Sequence, residues 1–324
     1  MNSQAMSLVF CKFSIRQKLW GGFALLLTVL VVVAWNTLSS LSATKDKVDD
    51  VTQDLQPALI AAMQLRNELK ETTTSLGFFL LTKEKDYQQS YQQSLAKLDE
   101  SNGHLKSLPI LQENASMATL LSEIENDIAR FKTYEKRMLH LAGSLTDNFS
   151  ALGYSGTNIN PLTREILQSL SNMILSETEE DASSKRKQLL IAIGELRYTW
   201  TSVVNNLRIY LFYGNEDALS NVRLFYQGAK DLVKKIENMG VELTFEQEEG
   251  LAVLSDAINK VEQHINVVVD IHHGDKARVD AFLVKAEITP ILNAIDGNLQ
   301  NLVDELRQST NNTGEVLKPV SYTH

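Results

Sequence analysis

The sequence predicts an all-α protein: an N-terminal membrane-spanning helix, then six helices forming two stacked four-helix-bundle modules. Three observations predict it. Prolines and glycines number only 5 and 15 in 324 residues, too few for the turns of a β-sandwich or the Gly-rich loops of an α/β fold. Apolar residues recur with helical period from about residue 40 to 312. A segment of the chain also repeats itself further on.

The elements follow in order. Residues 1–18 carry Lys12, Arg16 and Lys18 and no acid, and read as a cytoplasmic N-terminus. Leu19 to Trp35 is an uncharged run of 17 residues, at the short end of the span a membrane helix needs. Trp20 and Trp35 lie at its ends, as interfacial anchors do. The basic flank places the N-terminus in the cytoplasm and everything after Asn36 outside. A cleavable signal peptide is the competing reading, with Ser-Leu-Ser-Ala at 40–43 in its favour. An uncleaved anchor is preferred, because Trp35-Asn36 is a poor cleavage region and the amphipathic pattern runs straight on. Cys11, the single cysteine, is then a free cytoplasmic thiol, and disulfide frameworks are excluded.

Residues 40–312 read as the exterior helical domain. Its breaks are Thr82-Lys-Glu-Lys-Asp86, Leu108-Pro109, the loop-like Gly153 to Pro161, and the polar stretch Glu177 to Ser184. Tyr213-Gly214-Asn215 reads as a glycine C-cap followed by an asparagine N-cap. Met239-Gly240 ends another helix, and Thr244-Phe-Glu-Gln247 fits a capping box. The last helix is expected from about 245 to 310, kinked at Pro290.

Residues 59–86 align without a gap to 190–217, an offset of 131, with eight of 28 pairs identical. Random matching gives about two. The domain therefore divides into halves of about 50–180 and 182–312. Each half reads as a long helix, a tight turn, a second helix, a break and a long third helix. Three helices close a core poorly, whereas six that share long members form two four-helix bundles.

Both first helices carry an arginine on their apolar seam: Arg66 in Leu55, Leu59, Ala62, Arg66, Leu69, Thr73, Leu76, Leu80, and Arg197 in Leu190, Ile193, Arg197, Trp200, Val204, Leu207, Leu211. A seam guanidinium cannot lose its proton and needs an anion. A ligand carboxylate held bidentately is one such partner. An internal ion pair with Glu68, Glu195, Asp127 or Glu135 is the other, and both readings stand. Thr73, Trp200 and Arg208 are the candidate pocket neighbours. Tyr134 joins the stripe Leu120, Ile124, Phe131, Met138, Leu141 and reads as core or as a pocket hydroxyl. Arg130 and Arg137 read as solvated.

His264, Asp270, His272 and His273 match no standard ligand spacing, so no metal is expected. No cofactor is expected either. There is no P-loop, dinucleotide turn, nucleophile elbow or HExxH, and the chain is not expected to be an enzyme. A net charge of −9 argues against nucleic acid.

Phe13-Ser-Ile-Arg-Gln-Lys-Leu-Trp-Gly-Gly-Phe-Ala-Leu-Leu-Leu resembles the first transmembrane helix of bacterial methyl-accepting chemotaxis proteins. The repeated helical part looks like the helical bimodular sensor domain of some of these receptors. The resemblance implies a periplasmic sensor anchored in the bacterial inner membrane, binding small molecules, carboxylates favoured, and working as a homodimer. Arg66 and Arg197, with Arg208, are the positions it offers for a carboxylate. It also implies a second transmembrane helix and a cytoplasmic part through which downstream chemotaxis proteins are reached. Neither is present, and residues 313–324 read as a truncated tail whose Val320-Ser-Tyr-Thr-His324 breaks register after Pro319. Related sensors sit on histidine kinases and diguanylate cyclases. A membrane-tethered helical module that binds a periplasmic protein is a further alternative.

Overall fold

A computed structural model describes residues 15–321. Cys11, Lys12 and Tyr322–His324 lie outside the described residues. The described residues are 91% helical and form no strand, only an isolated antiparallel bridge between Phe149 and Arg278.

Helix α1 (Ile15–Asp49) passes through a π-helical turn (Asp50–Leu55) into α2 (Gln56–Thr82). The segment Leu19–Thr82 includes an apolar stretch long enough to cross a membrane, none of it buried inside the protein. So large an apolar surface in water is unfavourable, which is the physical case for a lipid surround. The other helices are α3 (Lys85–Lys106), α4 (Pro109–Glu113), α5 (Ala115–Thr133), α6 (Glu135–Gly143), α7 (Leu145–Asn148), α8 (Ser150–Glu177), α9 (Ser184–Tyr213), α10 (Glu216–Glu237), α11 (Phe245–His273), α12 (Val279–Leu283) and α13 (Thr289–Ser321).

The repeat reappears in the backbone. Adding 131 to the bounds of α3 gives those of α10, and both helices have 22 residues. The turns before them match: Lys83 donates its amide to the Phe79 carbonyl, and Gly214 donates to Tyr210, each at 2.8 Å. Gly214 and Asn215 form the expected caps, and the capping box of Thr244 and Gln247 is complete.

Three expectations are corrected. Gly153 to Pro161 is not a loop but the first turns of α8. Ala151, Ser155, Ile159 and Thr163 form its buried stripe, so small and polar residues hold the seam where sequence periodicity looks for large apolar ones. Gly153 is there for close approach: a Cβ would lie 2.5 Å from the Thr146 carbonyl oxygen. The last helix is not continuous from 245, because α11 ends at His273 and a connection through Gly274 precedes α12. The third helix of the first half is likewise interrupted, at Tyr134, Ser144 and Phe149. At the far end, α13 continues past Pro319 to Ser321, where a proline forfeits a single backbone bond.

Pro290 follows a π-helical turn, Val284–Ile288, as Pro57 follows Asp50–Leu55. Thr289 and Gln56, the residues just before the two prolines, donate five positions back to Val284 and Val51. A proline ring crowds the carbonyl four residues earlier, and a widened turn relieves it.

The helices gather into two units, each assembled from separated parts of the chain. In one, residues up to 74, 92–128 and 293 onward come together. Polar contacts there tie α2 to α3 (Glu71–Lys97), α3 to α5 (Lys106–Glu125), α5 to α13 (Asn298–Glu123, Ser116–Glu305) and α13 to α2 (Arg66–Asp296). The other comprises residues 75–91 and 129–292. Its core is built by α8, α9, α10 and α11, with Trp200, Tyr210, Leu170, Leu254 and Val261 fully or almost fully buried. Each four-helix set thus takes three helices from one half of the repeat and its fourth from the other half.

Candidate functional site

Arg66 is half-buried. Its Nε and Nη2 donate to the Asp296 carboxylate at 2.6 and 3.0 Å, and Nη1 donates to Gln300 Oε1. The ion pair holds both charges: the hydrogen bond to Asp296 raises the guanidinium pKa, and the bond from Arg66 holds the Asp296 carboxyl below its ordinary range. The partner comes from α13 and is none of the four acids the sequence suggested. Its signal was readable as Asp296, Gln300 and Asp304 at four-residue spacing, a polar stripe beside the buried Ile295, Leu299 and Leu302.

Arg197, the repeat counterpart, is exposed and makes no ion pair among the described residues. The reason lies in the facing helix. The buried stripe of α8 (Ile159, Ile166, Leu170, Met173, Glu177) superposes on that of α13 (Ile288, Ile295, Leu299, Leu302, Leu306) at an offset of 129 rather than 131. At that offset Leu167 stands where the other unit has Asp296. Arg208 is also exposed and makes no ion pair among the described residues.

Trp200 is fully buried in the core, and its Nε1 has no hydrogen-bond partner among the described residues. Thr73 is exposed and donates its hydroxyl to the Leu69 carbonyl at 2.8 Å, within its own helix. Tyr134 donates to Glu287 at 2.7 Å, and that bond raises its pKa. The six residues singled out by sequence are therefore not brought into one pocket. Arg66 and Thr73 belong to one unit; Tyr134, Arg197, Trp200 and Arg208 belong to the other.

The histidines each have a separate neighbour. His264 Nδ1 is 2.9 Å from the Tyr154 hydroxyl, His273 Nε2 is 3.4 Å from Glu216, and the His272 ring lies 4.7 Å from that of Tyr210. Burial, then the adjacent His273, lowers the His272 pKa.

Two polar nodes were not legible in the sequence. At the 177–186 turn, Arg186 donates Nε and Nη2 to Glu177 at 3.1 and 2.9 Å, and Gln247 Nε2 donates to the same carboxylate at 2.7 Å. Near Phe149, Arg278 forks onto Asp280 at 2.7 and 3.0 Å, while the Asp280 amide donates to Asn148 Oδ1 at 2.9 Å. Burial pushes the Asp280 carboxyl up, but the fork from Arg278 and the bond from the Ala281 amide outweigh it and hold it below its ordinary range.

Residues 49–189 match the family model of the CHASE3 domain. This is an extracellular sensory domain of chemotaxis and histidine kinase or cyclase receptors. The match ends one residue before Leu190, where the aligned second copy of the repeat begins. No curated protein and no solved structure matches the chain. The matched segment begins in a helix continuous with a membrane-length apolar segment.

Proposed function

We propose that this chain is the input part of a transmembrane receptor that binds a small periplasmic molecule and passes the signal to chemotaxis machinery. The observation that carries this is the continuity of α1 and α2. One helical path holds the apolar segment and then the first helix of the sensory domain. A shift of α2 on ligand binding moves the membrane segment with it, without a hinge to absorb the motion. Histidine kinase and diguanylate cyclase outputs fit the same input and differ only in the cytoplasmic part.

A small organic acid remains the favoured ligand. Arg66 already holds a carboxylate of its own chain, so Arg197 and Arg208 carry the acid-binding reading, as exposed guanidiniums without an ion pair among the described residues. The homodimer reading draws support from apolar side chains exposed at equivalent repeat positions, Ile60 at 64% and Ile191 at 51%. A tethered module that binds a periplasmic protein would use the same surface.

The test is a thermal-shift screen of the detergent-solubilised chain against malate, succinate, citrate, amino acids, putrescine and nucleobases. A ligand at 100 times its Kd adds about 2.7 kcal/mol. A shift with a dicarboxylate that disappears in Arg197→Ala supports acid sensing. A flat response to the whole panel, together with a co-purifying periplasmic protein, would replace it with the protein-partner reading.

A further inference from the structure

A cavity of about 270 Å³ opens beside the last turn of α9, walled by Phe149, Phe212, Tyr213, Gly214, His272 and Arg278. It lies wholly within one unit and contains neither Arg197 nor Arg208. We propose that it is a second ligand site, for a small uncharged planar heterocycle that carries both hydrogen-bond donors and acceptors, such as a nucleobase.

The walls set the chemistry. Phe149, Phe212 and Tyr213 supply aromatic faces, and flat rings stack on such faces whatever their substituents. The cation of Arg278 is already neutralised by its fork onto Asp280, through Nε and Nη2. Nη1 is left as a donor to a ligand carbonyl or ring nitrogen. His272 is half-buried against Tyr210, and burial lowers its pKa, which disfavours a charge there. The last turn of α9 forms one wall; the Gly214 amide takes the Tyr210 carbonyl, and the carbonyls after it, which have no partner inside the helix, can accept from ligand N–H groups. That negative helix end disfavours an anion, and with Arg278 paired to Asp280 no unpaired side-chain charge lines the cavity to hold an ionic ligand. A neutral ligand with donors on one edge and acceptors on another satisfies both sides.

The backbone is shaped for the cavity. Gly214 has φ +64°, and a Cβ there would come within 3.0 Å of His272 Nε2. Tyr210, under the His272 ring, is fully buried, and its hydroxyl lacks a hydrogen-bond partner among the described residues. In the first half Lys83 stands at the position of Gly214, and the buried stripe of the third helix, offset by 130, puts Ala142 at that of His272. Neither aromatic histidine wall nor glycine gap is therefore a general property of the repeat.

Adenine and uracil are the probes, titrated calorimetrically into the detergent-solubilised full chain, with benzoate, putrescine and malate as controls. Binding of adenine or uracil, weakened about tenfold in Phe212→Ala as for loss of one stacking face and unchanged in Arg197→Ala, is the expected result. Circular dichroism of Phe212→Ala checks that the exposed substitution leaves the helices intact. No binding of either base, or binding that Phe212→Ala leaves unchanged, overturns the proposal. Malate binding lost only in Arg197→Ala, with no response to the bases, overturns this site and leaves the sensor reading standing.

Discussion

Lys83 and Gly214 occupy the same position of the repeat and share a left-handed backbone, with φ 59° and 64°. Each ends a long helix and donates its amide four residues back. Only one of them is the residue type that tolerates this conformation without a steric cost.

Opposite effects are therefore expected from substituting the two. Lys83 is exposed, so Lys83→Gly removes the left-handed strain and loses no packing. A gain of about 0.5–1 kcal/mol is expected, since the extra freedom of glycine in the unfolded chain offsets part of the relief. Gly214→Ala adds the strain and drives a Cβ toward His272, for a loss of about 1–2 kcal/mol. Urea midpoints of the two variants against the parent check the signs. Destabilisation by Lys83→Gly would mean that the lysine side chain supports the turn.

Much of the scaffold was legible because its signals are local. Helical period, the caps at Gly214, Asn215 and Thr244, and the repeat all depend on neighbours in sequence, and the backbone follows them. The Gly153 to Pro161 segment was not legible, because its glycine serves an approach to Thr146, a long-range fact with the local signature of a loop. The partners of the two seam arginines were not legible for a related reason. Arg66 and Arg197 are identical locally, and their environments differ through what the facing helix brings, Asp296 for one and Leu167 for the other. A two-residue change of offset in the fourth helix is invisible in the aligned 28 residues.

The Arg66–Asp296 pair makes stability depend on acid in a defined direction. Asp296 has a lowered pKa in the folded chain, mainly through the bond from Arg66. The folded state therefore binds fewer protons than the unfolded one in the acid range. The stabilisation is present above the unfolded carboxylate pKa, about 4, and is lost as pH falls through the lower folded value. Both side chains are partly exposed, 28% and 41%, so solvent screening keeps the coupling to about 0.5–1 kcal/mol. Denaturant midpoints from pH 2 to 6 should fall less steeply in Asp296→Asn than in the parent. Equal slopes would show that the pair contributes nothing.

Glu177 and Arg186 pose the sharper energetic question, because both side chains are nearly enclosed, at 5% and 14% exposure. Removing Glu177 leaves Arg186 with only the more exposed Glu180, at 3.6 Å, and leaves Gln247 with only the Met173 carbonyl, at 3.4 Å, in place of a carboxylate. Glu177→Ala should cost about 3–5 kcal/mol. The repeat supplies the control. At the offset of 131, Arg186 corresponds to Leu55, and at the fourth-helix offset of 129, Glu177 corresponds to Leu306; both leucines are buried. The same scaffold position is thus filled by an ion pair in one unit and by two leucines in the other. Burying two charges costs nearly as much as their attraction returns, whereas two apolar side chains incur no such desolvation. The double variant Glu177→Leu with Arg186→Leu should therefore recover to within about 1 kcal/mol of the parent, far above either single variant. Urea unfolding of the three variants decides it. If the double variant is as unstable as Glu177→Ala, the node is required for the 177–186 turn itself, through the bond from Arg186 to the Glu242 carbonyl at 3.0 Å, and the leucine pair is not its equivalent.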